Sequence, residues 1–155
     1  MVDETARQII KDRIQKGLSP RPEPGAFARE IFERDIHNFN SISEVYQPVF
    51  FDRCFIDSAG MIQMSDAIHY KKIEPLLSSH RLNNKAFITP PWKEIYQNDD
   101  ERDQTFEQAV EVYDLCYSWY ESQGYELVDL PRTSVKERIE FILREIGKLG
   151  FAFSS

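Results

Sequence analysis

The 155-residue chain has only two cysteines, Cys54 and Cys116. They sit in unrelated apolar settings with no CxxC and no histidine cluster beside them. That argues against a disulfide framework or a cysteine zinc site and makes a reducing cytoplasm the expected compartment. Positive charge is also scarce: 19 Lys and Arg stand against 26 Asp and Glu, a formal net charge of −7. A chain of that sign offers no basic face to a phosphate backbone, which argues against nucleic acid or an anionic membrane surface as partner. No apolar run approaches the roughly 18–20 residues of a membrane span. The opening Met1-Val2-Asp3-Glu4 carries acids at once, where a secretory signal needs an apolar stretch. His37, His69 and His80 fall in no HxxxH or HExxH pattern and G-x-S-x-G does not occur, so hydrolases of those types have no support.

One further absence weighs most. G-x-x-x-x-G-K-[ST], the loop that cradles nucleotide phosphates, occurs nowhere. Gly147-Lys148 only imitates it, because Ile142 stands where the first glycine belongs and Leu149 follows the lysine.

What is present suffices for a core: 41% of the residues are hydrophobic and 13% aromatic, at a length that suits one domain over 1–155. Periodicity predicts a helix over Glu4 to Gly17, with Ala6, Ile9, Ile10 and Ile14 on one side. A second is expected over Ala26 to Asn40, with Phe27, Ile31, Phe32, Ile36 and Phe39 apolar. Val49-Phe50-Phe51 suits a buried strand. Ser65 opens a helix to about Lys72, which Pro75 breaks or restarts. Lys85 to Thr89 is a second strand, stopped by Pro90-Pro91. A long helix is expected from Glu101 to Ser122, with Phe106, Ala109, Val110, Tyr113, Cys116, Tyr117 and Tyr120 on one face. Tyr125 to Pro131 is a third strand. Ser134-x-x-Glu137 is a capping box for a last helix that turns Val135, Ile139, Ile142, Leu143 and Ile146 inward. Strands separated by helices imply crossover connections and a parallel sheet, hence an α/β fold.

Chemistry concentrates at few places. Asp52-Arg53 follows a strand, where open α/β sheets collect function. The pair reads either as a Mg²⁺ carboxylate beside a phosphate-facing arginine or as an ion pair closing a loop. Asp3-Glu4 reads either as a helix-start acid pair or as a base toward a substrate hydroxyl. Arg102, in the charged run Asn98 to Asp103, suits either a solvated surface or a lid closing on a triphosphate. Trp92 and Tyr96 are candidates to stack on a ligand or to pack.

Three stretches carry a family resemblance: Val45 to Ser58 with its F-F-D-R and D-S, Ala86 to Arg102 with P-P-W-K-E-I-Y-Q-N-D-D-E-R, and Gly124 to Arg138 with G-Y-E-L-V-D-L-P. Together they resemble the bacterial AAA-domain predicted ATPase/kinase family, P-loop proteins similar to nucleoside and nicotinamide-riboside kinases rather than ring-forming motors. The resemblance covers essentially the whole chain. It implies a three-layer P-loop parallel sheet with flanking helices, and Mg²⁺ with ATP or GTP as cofactor. Family members place a strand, a Walker A loop, a helix and a second strand before V-D-E-x-A-R, here Val2 to Arg7. The chain is therefore expected to be a truncated member missing its first, P-loop strand. That strand would lie centrally, between Val49–Phe51 and Lys85–Thr89.

The resemblance further implies roles for single residues. Asp3 or Glu4 would act as base, Asp52 would stand near Mg²⁺, and Arg53 and the lid arginine Arg102 near phosphate. Arg7, Asp57, Trp92 and Tyr96 would contact substrate. Cys54 stands where relatives commonly carry Gly. The expected activity is phosphoryl transfer to a small hydroxyl-bearing substrate, or NTP hydrolysis, weak in these residues without a Walker A. The alternative is a non-catalytic, nucleotide-gated binding or interaction module. A dimer or swapped oligomer covering exposed sheet edges is the expected assembly.

Overall fold

A computed structural model of the chain describes residues 1–2, 4–42, 48–96 and 105–150. It divides into two compact units, residues 1–81 and 82–155.

The first unit is helical. Helix α1 (Thr5–Gln15) packs on α2 (Pro24–Asn40), and α2 packs on α3 (Phe55–Ser65), which leads into α4 (Ala67–Ser79). Pro24 at the first position of α2 has no N–H to leave unpaired, and the Glu23 carboxylate accepts from the amides of Gly25 and Ala26, both at 2.9 Å. The apolar stripes meet as expected for α1 and α2: Ile9, Phe27 and Ile31 form one buried cluster, with Ala6 and Ile10 against it. Ile14 departs from that expectation and is exposed. A second set, Phe55, Ile56, Ala59 and Ile62, is fully buried along α3.

Four further corrections belong to this unit. Helix α3 itself was not foreseen. Its start has Cys54 where Ser, Thr or Asp usually stands, but Asp57 three positions later accepts the Cys54 amide at 2.9 Å and closes the first turn. The cap of α4 is Asp66, which accepts the His69 amide at 2.9 Å; Ser65 instead ends α3 and donates to the Met61 carbonyl. Pro75 does not break α4, which runs on to Ser79 because Ile73 and Leu77, on either side of the proline, are both buried. The Val49–Phe51 strand shrinks to a single parallel bridge between Phe51 and Val2, and Phe50 is exposed.

The second unit holds the α/β part. Strands β1 (Lys85–Ile88) and β2 (Glu126–Asp129) pair in parallel, Lys85 opposite Glu126 and Ile88 opposite Asp129. Parallel strands need a crossover, and helix α5 (Phe106–Ser122) supplies it. Its cap is Thr105, in a reciprocal box with Gln108; the expected start at Glu101 lies outside the described residues. Gly124, at φ 80°, turns the chain back from α5 into β2. Helix α6 (Val135–Gly147) opens with the expected box, Ser134 and Glu137 bonding each other in both directions. Its inward face is corrected as well. Ile146 is buried, whereas Val135 and Ile139 are 63% and 51% exposed and Leu143 is exposed too. Among the described residues no helix is long and apolar enough to cross a membrane.

Candidate functional site

The site grows from the Val2–Phe51 bridge. The Val2 amide donates to the Phe50 carbonyl at 2.7 Å and the Asp52 amide donates to the Val2 carbonyl at 2.9 Å. Because the two segments run parallel, the residues that follow Val2 and those that follow Phe51 leave from the same end. Glu4 then stands immediately before α1, and Asp52-Arg53 turn the chain into α3.

Arg53 makes that turn at φ 67°, the only described non-glycine residue in the left-handed region. This conformation crowds a Cβ and costs roughly 1–2 kcal/mol, and strain of that kind clusters at functional sites. Cys54, by contrast, is extended at φ −159°, a conformation open to any residue.

Each arginine in the site has a carboxylate. Arg7 Nε meets Glu4 at 2.8 Å and Arg53 Nη1 meets Asp57 at 3.1 Å, with both arginine side chains more than half exposed. Asp57 is the more enclosed acid, since its second oxygen holds the Cys54 amide. Glu4 and Arg7, and separately Arg53 and Asp57, are thus brought together as pairs. Asp52 is exposed beside them. Asp3 and Arg102 lie outside the described residues.

A hydrated Mg²⁺ takes one or two carboxylates, with water and phosphate oxygens completing its octahedron. The exposed Asp52 fits that requirement as a single ligand, whereas Glu4 and Asp57 are engaged by arginine. Among the described residues no group of three or more His, Cys, Asp or Glu gathers as a metal cage. The run G-x-x-x-x-G-K-[ST] does not occur in the sequence, and what the described residues offer such a site is a carboxylate for the metal.

Beneath the paired ions lies a residue that the sequence reading missed. Asp35 of α2 is only 6% exposed. Its Oδ1 accepts from the Thr5 hydroxyl at 2.5 Å and its Oδ2 from the Ser58 hydroxyl at 3.4 Å. Burial pushes its carboxyl up to about 6 and the like charge of Asp57 adds to this, while the two hydroxyls pull the other way. The signal was available: Asp35 continues the Phe27, Ile31 stripe at a spacing of four, an acid on an otherwise apolar face.

In the second unit Trp92 is half-buried ahead of a short 3₁₀ turn, Lys93–Ile95. Tyr96 packs edge-on against Phe106 at 5.4 Å and donates its hydroxyl to the Thr105 carbonyl at 3.1 Å. Its described contacts are therefore those of a packing residue. Tyr113 of α5 donates to Asp129 at the end of β2, and burial together with that carboxylate holds the phenol above its ordinary range.

Compared with known proteins, residues 1–138 match a family model described as an AAA domain. No curated protein and no solved structure matches the chain.

Proposed function

From the premise that this chain belongs to the AAA domain family of P-loop NTPases, whose activity is nucleotide-dependent and generally uses Mg²⁺, we propose that it is the substrate-and-lid portion of a phosphotransferase. The reaction would move the γ-phosphoryl group of ATP or GTP to a hydroxyl on a small molecule. The observation that supports this reading most is the Val2–Phe51 bridge, which gives two acid–arginine pairs and Asp52 a common strand end.

In this reading Glu4 or Asp3 takes the proton of the substrate hydroxyl as its oxygen attacks phosphorus. Arg53 leaves Asp57 to meet the charge on the transferring group, and Arg7 and Asp57 hold the substrate. Asp52 holds the hydrated Mg²⁺, which supplies charge neutralisation at the phosphates. Trp92, Tyr96 and Arg102 are further candidate contacts, each tested by alanine substitution. The fold would be the kinase-like three-layer α/β arrangement. Lacking a G-x-x-x-x-G-K-[ST] run, the 155 residues would bind Mg²⁺-nucleotide weakly by themselves.

The experiment joins a Walker A segment from another family member ahead of Met1. It follows γ-phosphoryl transfer from ATP and GTP to a panel of small hydroxyl compounds. Transfer that drops by about 100-fold or more in Arg53→Ala, the scale of losing one charge-stabilising group, supports the reading. Transfer no faster than in the same fusion with its Walker lysine replaced by methionine sinks it.

Exposed apolar residues on the second unit's helices, Leu115 at 54% and Ile139 at 51%, favour one rival: a nucleotide-gated interaction module, self-associating or bound to another protein. Sedimentation with and without nucleotide, at negligible turnover, would support it.

A further inference from the structure

Asp35 has no part in the phosphoryl transfer just described, yet it occupies an expensive place. A buried carboxylate whose partners among the described residues are two hydroxyls, with a like charge nearby, costs more than a neutral residue of the same shape. What it provides in return is two acceptor oxygens on one planar group. One receives Thr5, the first residue of α1 and the neighbour of Glu4; the other receives Ser58 of α3, the neighbour of Asp57. The Ser58 hydroxyl lies also 3.3 Å from the Phe55 carbonyl of its own helix, so it has an alternative acceptor when Asp35 is neutral.

We propose that Asp35 is the positioning residue of this site, locking the starts of α1 and α3 in register so that the Glu4–Arg7 and Arg53–Asp57 pairs keep fixed places at one end of the Val2–Phe51 bridge. The inference rests on the phosphotransfer reading only for what those pairs do; the clamp is a property of the unliganded chain. Protonation of Asp35 gives the carboxyl its own O–H to direct, loosens the hold on Ser58 and lets α3 shift its first turn against α1. Of the charged groups on the elements packed against it, Glu4 stands just before α1 and Arg7 within its first turn. On α3 Asp57 presses its proton on. On α2 itself Arg34 is committed to Asp12 at 2.9 Å and to Glu30 at 3.0 Å, and His37 is exposed. His80, at the end of α4, rests against the rings of Phe39 and Phe55 at 5.6 Å and 6.3 Å.

The test follows the arginine Nε–Hε signals of the ¹⁵N-labelled full chain by NMR from about pH 4.5 to 8, without nucleotide. The signals of Arg7 and Arg53 are expected to move together with a midpoint near that of Asp35, about 6. In Asp35→Asn that movement disappears. Asn accepts from Thr5 and donates to Ser58, so the fold is retained. Thr5→Val abolishes the Arg7 movement and Thr5→Ser restores it, a rescue that a purely packing role for Thr5 would not give; this pair carries the test should Asp35→Asn fail to fold. A midpoint near 6 that persists in Asp35→Asn belongs to a histidine and overturns the proposal, as does an absence of movement in the wild-type chain. Because no nucleotide or acceptor is present, loss of phosphoryl transfer with the titration intact strikes the functional reading alone.

Discussion

Arg53 reaches Asp57 one turn ahead in α3, at 3.1 Å, while the other oxygen of the same carboxylate holds the amide of Cys54. A single acid therefore both starts the helix and restrains the arginine that precedes it. The two tasks separate by mutation.

Arg53→Gly relieves a left-handed backbone that glycine adopts freely. It is expected to raise the unfolding free energy by about 1 kcal/mol while removing the group proposed to face phosphate. Urea unfolding checks the first effect and the transfer assay of the Walker A fusion checks the second. A loss of stability would mean that the Arg53 side chain contributes more by its contacts than its backbone costs.

Asp57→Ala removes the acid that closes the first turn of α3 and is expected to destabilise by about 1–2 kcal/mol, the usual range for a lost helix cap. Asp57→Asn keeps an acceptor for the Cys54 amide and should recover most of that loss. Equal denaturation midpoints for the two variants would show that the ion pair, rather than the cap, carries the stability.

The pH dependence of stability has a definite sign at Asp35. Its folded-state carboxyl is pushed up to about 6 from an ordinary value of 3.8. The folded chain therefore holds this proton more tightly than the unfolded one. The stabilisation from this group is full below about pH 4 and is lost as pH rises through 6. Asp35→Asn should accordingly be more stable than wild type at pH 8, by at most about 3 kcal/mol, with the two curves meeting near pH 4. Urea titrations at half-unit intervals of pH read this directly, and a wild-type chain that outlasts Asp35→Asn at pH 8 contradicts it.

Core and surface isoleucines should part company. Ile62 is fully buried in α3, and Ile62→Ala is expected to cost about 2–5 kcal/mol. Ile139 on α6 is 51% exposed, and Ile139→Gln should stay within about 0.5 kcal/mol of wild type. If Ile139→Gln lowers the denaturation midpoint at high protein concentration but not at low, the α6 face is covered by self-association.

The sequence made the helices legible where an apolar stripe and a standard cap coincided, as at Ser134-x-x-Glu137 and along Phe27, Ile31 and Phe32. It hid α3, because Cys54 is an unusual first residue and the exposed Met61 and Met64 add apolar side chains away from the Phe55, Ile56, Ala59, Ile62 face, which blurs the periodicity. Asp66 was passed over for Ser65 since both residue types cap equally well and only geometry chooses between them. At the site, Glu4, Arg7, Asp52, Arg53 and Asp57 could be named from pattern and resemblance. The partner of each could not, since ion pairs form between whichever side chains the backbone turns toward each other. Asp35 was visible as an acid on the Phe27, Ile31 stripe, but its partners were not: its bonds reach Thr5 and Ser58 across 30 and 23 residues, separations that local spacing does not register.

The parallel register of the small sheet has a consequence for synthesis. Lys85 is paired with Glu126, so 126 − 85 = 41 further residues must be made before β1 meets its neighbour. At about 5–20 residues per second that is an interval of roughly 2–8 s for each new chain. Throughout it Ala86-Phe87-Ile88 leaves the ribosome as a bare apolar edge, with the prolines at 90 and 91 as its nearest guard against joining the same segment of another nascent chain.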